Sequence, residues 1–390
     1  MPQLSVHSIT ALLIVLATSL AAISPLSAQV VTITPLPTPH KTLPPRIRIP
    51  HPKPKQTAPP KPVFQKLTLA WKTFLRRVDG SPALAERTSF LPAGNFLYQI
   101  DSGGRTLWAV ETGDVQSSPV LDTTRAYVGS DKGTLFSVNR KSGQVVWQFA
   151  ASSSILTRPA VSGTTVIVES SDNSLYGVDA ASGRQKWKFP RGDGSLGYSS
   201  PRVGETNALY ICGETTLYRL NTETGKEKWH TYIGGKSASS PDIGGGRVYV
   251  GGDGVGLSAF SQDTGASLWN FKGSRNTDWF GAPLYAGGTV YVATYSRYVY
   301  AVDAPTGNLK WSYRLLGGSL CQPVLDAKRG VLYVTSTTFH DNPTITGLDI
   351  KNGKALWSYK AGYISGSPVI SDDRLYVGST TGYYYCFTLD

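Results

Sequence analysis

SGRQKW, Ser182–Trp187, decides the fold because the chain keeps returning to it. SGQVVW ends at Trp147, TGKEKW at Trp229, TGASLW at Trp269, TGNLKW at Trp311 and NGKALW at Trp357, and a form one residue shorter, DSGGRTLW, ends at Trp108. Upstream of the glycine stands an Asp or Asn in DAASG (Asp179–Gly183), NRKSG (Asn139–Gly143), NTETG (Asn221–Gly225) and DAPTG (Asp303–Gly307). An Asx side chain accepts backbone N–H groups ahead of it, and glycine takes the left-handed conformation that closes a hairpin. A tryptophan at constant distance then has one fixed facing on the following strand, because strand side chains alternate. Its wide ring is predicted to wedge into the next unit's turn, burying on the order of 150–250 Å². The expected docking residues are Trp71, Trp108, Trp147, Trp187, Trp229, Trp269, Trp311 and Trp357.

Around this ending lies a wider unit: a proline, an apolar stretch, a YVG-like strand, a small turn, an LYxxD-like strand, then the glycine and tryptophan. SSPVLDTTRAYVGSDKGTLFSVNRKSGQVVWQF, Ser117–Phe149, shows it whole. From Trp108 to Trp357 the tryptophans are separated by 39, 40, 42, 40, 42 and 46 residues. A period near 40 with four short strands per unit marks β-propeller blades, small sheets that bury their faces only by stacking radially. Openings occur at Pro82, Pro119, Pro159, Pro201, Pro241, Pro283, Pro323 and Pro368, so eight blades are expected. The last copy, Ser367–Asp390, supplies three strands and no tryptophan, whereas LTLAWKTFL, Leu67–Leu75, is a strand without a unit. Pairing the two would close the ring and remove two exposed sheet edges. The expected fold is an all-β, eight-bladed propeller of four-stranded antiparallel blades over residues 66–390, the last blade closed by the strand around Trp71.

Two segments precede it. Residues 1–28 carry an apolar run from Ile9 to Ile23 and end in SPLSA, which suits an export signal cleaved after Ala28 or, uncleaved, an N-terminal anchor. The chain is therefore expected to be exported, to a periplasm or cell surface. Residues 29–65 form a basic, proline-rich linker. Between Gln29 and Lys66 stand eleven prolines and seven Lys/Arg but no acid, a composition for an extended polyproline spacer or a tether to an anionic surface.

The whole chain carries a formal net charge of +12, yet the remainder holds 31 basic and 26 acidic side chains, so no nucleic-acid partner is indicated. Cys212, Cys321 and Cys386 are far apart, without metal or disulfide spacing. Only His230 and His340 lie in the body of the chain, and His340 sits in the longest turn insertion, TTFHDNPTITG, as a surface residue rather than a catalytic base.

The SPV…YVGSxxGxLxxVDxxTGxxxW unit resembles the pyrroloquinoline-quinone-type, or tryptophan-docking, propeller repeat. The Gly-His…Trp-Asp signature of WD40 blades is absent. The resemblance implies one of two functional classes: quinoprotein dehydrogenases, or non-enzymatic propellers of the BamB type that scaffold outer-membrane β-barrel assembly. Quinoproteins of this kind hold calcium with acidic and amide side chains, often beside adjacent cysteines and under long loops. This sequence has no Cys-Cys pair, no long insertion and no local acidic cluster, and a hard cation needs six or more oxygen ligands. The expectation is a monomeric, non-catalytic scaffold without cofactor or metal, binding envelope proteins. A quinone-dependent oxidoreductase and a surface sensor or carbohydrate-binding module are the alternatives.

Propellers bind partners mainly through loops at the channel mouths. Trp279 is the one tryptophan outside the docking register, and with Phe280, Tyr198 and Tyr363 it forms either an aromatic patch or loop packing. Arg158, Arg191, Arg202 and Arg275 lie near the same openings. Trp, Tyr and Arg are the residues enriched at binding hot spots.

Overall fold

The computed structural model describes residues 67–389 apart from 116, 193–198, 238, 275–277, 337–342 and 365. The leader, the proline-rich linker, Tyr198, Arg275 and His340 lie outside the described residues.

Among the described residues every strand belongs to one of eight four-stranded antiparallel sheets. Blades 1 to 7 span residues 83–111, 120–150, 160–190, 202–232, 242–271, 284–314 and 324–360, each meandering from a short first strand to a fourth. Blade 8 contains Val369–Ser371, Arg374–Gly378 and Tyr383–Thr388, and its fourth strand is Thr68–Phe74 from the other end of the chain. The two ends pair antiparallel, with Thr68 opposite Thr388 and Trp71 opposite Cys386. First strands of successive blades neighbour one another, so they line the middle and the fourth strands form the rim.

Burial follows this order. Second strands such as Thr165–Ser170 and Ala208–Cys212 are buried along their whole length. They are buried throughout, without alternation, because a blade lies against each face. The fourth strand Gln185–Pro190 is largely exposed, with Trp187 its one buried residue.

Simple alternation does not by itself aim the tryptophans. In every blade the register between third and fourth strands slips by one residue at the position just before the tryptophan. The residues skipped are Ala70, Leu107, Val146, Lys186, Lys228, Leu268, Lys310 and Leu356. Such a bulge bends the strand and re-aims its side chains. The indole then lies across the third strand, and in blade 3 this leaves no room for a side chain: a Cβ at Gly177 would fall 2.1 Å from the Trp187 ring.

From there each ring reaches the next blade. Trp71, Trp108, Trp147, Trp187, Trp229, Trp269 and Trp311 donate through Nε1 to a backbone carbonyl in the following blade's turn, at 2.7–3.2 Å. The glycine of that turn is doubly constrained. Gly225 has φ +66° and a Cβ there would sit 2.6 Å from Trp187, so both backbone and contact demand glycine. Trp357 is buried in a core cluster that also holds Leu389 and against which Leu67 packs. In blade 8 no hairpin turn joins third and fourth strands, because they come from opposite ends of the chain.

Candidate interaction face

Antiparallel meandering puts the docking turns on one face of the wheel. The proline openings, the loops leading into them and the turns between second and third strands lie on the other. On this opening face the repeated serines do structural work. In blades 2, 4 and 5 the first serine of Ser-Ser-Pro (Ser117, Ser199, Ser239) accepts the N–H of its own blade's second strand, from Gly129, Cys212 and Gly251, at 3.2 Å. The residue directly before the proline links blade to blade. The N–H of Ser81 donates to Ser118 Oγ (2.8 Å), Arg158 to Ser200 (3.1 Å), Ser200 to Ser240 (2.9 Å), Gln322 to Ser367 (3.0 Å) and Ser367 to Ser81 (2.8 Å). A hydroxyl girdle thus surrounds the channel mouth, interrupted where Arg158, Ala282 and Gln322 replace serine. Gln322 instead donates its amide to the Pro283 carbonyl at 2.6 Å.

The sequence-predicted residues divide. Phe280 is a correction: it is 0% exposed and belongs to the core between blades 5 and 6, edge-on to Phe271 and stacked on Tyr300. Its N–H is held by the Gly252 carbonyl, which turns the ring inward. Arg191 is a second correction. Its side chain is buried, paired with Glu169 at 2.5 Å, and it donates to the Cys212 carbonyl at 3.1 Å, so it fastens blade 3 to blade 4. Arg158 and Arg202 are exposed, and Arg202 forms an ion pair with the buried Asp242 at 2.8 Å.

Trp279 is half-buried, bridged to Asp253 of blade 5, and its carbonyl accepts the N–H of Tyr295 at 3.0 Å. Tyr295 stands on the turn between Thr289–Ala293 and Tyr298–Asp303 and is 59% exposed. Asp278 accepts the Ser296 N–H at 3.2 Å, and Leu315 donates to the Arg297 carbonyl at 2.7 Å, which brings the 61% exposed Leu316 to the same turn. Trp279, Tyr295 and Leu316 therefore gather around one turn of blade 6. Tyr363, 41% exposed, lies beside the blade 8 turn, where its carbonyl accepts the Thr380 N–H at 2.7 Å. The structure does not bring it together with Trp279. Tyr295 and Leu316 escaped the sequence reading because ATYSRY and RLLGG look like an ordinary turn and loop. Their signal was an aromatic and a leucine at turn positions that most other blades fill with Asp, Gly or Ser.

Reactive groups are scarce. Burial pushes the Cys212 thiol up to about 12 and Cys321 to about 11, far from a thiolate at neutral pH. His230 is on the rim, bonded to Glu227 at 2.7 Å. Among the described residues no three His, Cys, Asp or Glu side chains come together as a metal ligand set.

Comparison with known proteins gives one family over most of the chain and, over shorter stretches, quinoprotein dehydrogenases. The family model described as outer membrane protein assembly factor BamB matches residues 93–204, 198–279 and 278–385. The chain is 26% identical over 167 residues to the assembly factor BamB of Moranella endobia, 40% of this chain and 41% of that one. It is 25% identical over 318 residues to that of Yersinia pestis, 79% of this chain and 65% of that one. The match thus spans less than two thirds of either relative's length. A lanthanide-dependent methanol dehydrogenase of Methylacidiphilum fumariolicum is 30% identical over 130 residues, 29% of this chain and 21% of the enzyme. The crystal structure of BamB from Moraxella catarrhalis superposes with TM-score 0.70 at 18% identity, covering 83% of this chain and all of that one, a likeness of fold. With its repeats matched from the first blade to the last, this chain belongs to the family of the outer membrane protein assembly factor BamB.

Proposed function

We propose that this propeller is an exported, non-catalytic scaffold of envelope protein assembly, which docks a partner polypeptide on its opening face at the blade 6 turn. The reading is carried by Trp279, Tyr295 and Leu316 gathered on one turn, two of them largely exposed. Aromatic anchors of this kind in a loop-built patch are what interfaces use. Family membership supports the assembly role, and the leader in residues 1–28 supports export. The linker in residues 29–65 would set the distance between the wheel and a membrane or wall.

Co-purification from the native envelope tests it. The chain should bring down β-barrel assembly proteins, and Tyr295→Ala with Leu316→Ala should lower their recovery by at least about tenfold while leaving the melting temperature unchanged. Undiminished capture by the double variant would move the interface elsewhere. Dye reduction by the purified chain with pyrroloquinoline quinone and calcium would replace the scaffold with an oxidoreductase.

A further inference from the structure

On the docking face, blade 4 departs from the repeat in two places. A lysine stands immediately before the tryptophan in blades 3, 4 and 6, at Lys186, Lys228 and Lys310. In blade 3 Lys186 donates to Thr165 Oγ1 at 2.6 Å and pairs with Glu223 at 2.5 Å. In blade 6 Lys310 donates to Thr289 Oγ1 at 2.9 Å and pairs with Asp303 at 3.2 Å. Those threonines begin the second strands of their blades, and in blade 4 the same position is Ala208. Lys228 therefore lacks that acceptor, and among the described residues it makes no hydrogen bond or ion pair. The second departure is Arg219. The third-strand residue opposite the tryptophan is Ser137, Gly177, Ala259, Ala301 or Gly347 in five other blades, but in blade 4 it is this arginine. Arg219 is anchored through Nη1 to the Gln262 carbonyl of blade 5 at 3.1 Å, and its guanidinium lies over the Tyr210 ring. Its ion pair with Asp263 is open at 4.0 Å, and Asp263 is 93% exposed, so water screens it.

The two departures meet in one place. Ala208, Arg219, Lys228 and the amide residues Asn207 and Asn221 line a single recess of about 310 Å³, whose wall holds two cations and no acid. One side of it is a tight turn in which Thr206 and Asn207 are both left-handed, at φ +53° and +56°, closed by the Ala208 N–H on the Glu205 carbonyl at 3.2 Å. We propose that this recess is a binding site for a phosphate group. Two cations without a carboxylate between them are balanced by a dianion, whereas a carboxylate would leave one charge unmet. A phosphate also offers three acceptor oxygens, which suits a guanidinium fork, an ammonium and amide donors converging from different strands. The group can come from free phosphate or from a lipid headgroup. The site lies on the opposite face from the blade 6 patch and does not depend on it.

Titration of the full, ¹⁵N-labelled chain with inorganic phosphate at constant ionic strength tests this through the backbone amide signals of Asn207 and Ala208. Phosphate should shift both to saturation. Lys228→Gln should weaken binding by about tenfold, the loss of one charge-assisted contact. Without phosphate the same variant should melt with the parent, because Lys228 fastens nothing in the wheel. Ala208→Thr returns the hydroxyl that holds the lysine in blades 3 and 6, and should also weaken binding without removing a charge. Vesicles of phosphatidylcholine and phosphatidate in equal parts distinguish the source. Vesicle retention that falls in Lys228→Gln identifies a lipid headgroup; equal retention of parent and variant, with inorganic phosphate still saturating, identifies free phosphate. The basic residues before the wheel are common to both chains, so their attraction cancels. Linear, unsaturating shifts, an unchanged Kd in Lys228→Gln, or acetate binding as tightly as phosphate would overturn the site.

Discussion

The docking-turn face and the opening face of this wheel are built from the same repeat by opposite rules. On the docking face seven of the eight blades offer the same turn to the preceding indole, and the seven Nε1–carbonyl bonds fall within 2.7–3.2 Å. On the opening face the repeat is broken blade by blade: Arg158, Ala282 and Gln322 interrupt the hydroxyl girdle, and Trp279, Tyr295 and Leu316 crowd one turn. Regular positions carry stability because every blade needs the same contact with its neighbour. Irregular ones are free to vary because the girdle survives gaps. The buried Arg191 shows that the division is not absolute, since, paired with Glu169 of its own blade, it bonds to the Cys212 carbonyl of blade 4 from the opening side.

Substitutions on the two faces can break this contrast. The largest effect is expected from Trp187→Ala, which removes a buried ring and its bond to the Thr222 carbonyl, at a cost of about 3–5 kcal/mol in urea unfolding. A loss no greater than that of Tyr295→Ala would erase the distinction. A smaller effect belongs to the girdle: Ser240→Ala removes the acceptor for the Ser200 N–H and should cost about 1 kcal/mol by the same measurement. A cost approaching that of Trp187→Ala would make the girdle, and not the indoles, the main fastening.

The smallest effect is electrostatic and confined to the docking turns. Asp179 is held below the ordinary carboxylate value by the Ser182 hydroxyl and N–H, and Asp303 by the Thr306 hydroxyl, followed by Lys310. A depressed carboxyl stabilises the fold above its unfolded value of 3.8, and that contribution disappears as pH falls through the lower folded value. The melting temperature should therefore decline as pH falls from about 3.8 through the lower folded value, and less steeply in an Asp179→Asn, Asp303→Asn variant. Parallel acid profiles for parent and variant would remove these two turns from the account.

How far the sequence could be read follows the same division. The glycine–tryptophan spacing gave the blade count and the closure by the Trp71 strand, because each repeat restates one local geometry. The bulge before each tryptophan was invisible, since it depends on how the fourth strand meets its neighbour. The Ser-Ser-Pro openings were visible as a pattern but not as bonds, because the first serine bonds the second strand of its own blade and the second serine's partner lies on another blade. Phe280 and Trp279 adjoin in sequence, and only packing against Phe271 and Tyr300 decides that one is core.

By itself the sequence determined the wheel: period, number of blades, turn chemistry and the strand that completes the last sheet, all set by short-range backbone preferences repeated eight times. The tertiary structure alone decided which polar and aromatic residues meet at the channel mouth. Those meetings join side chains from different blades, and their distances depend on the closed ring, not on any single stretch of chain.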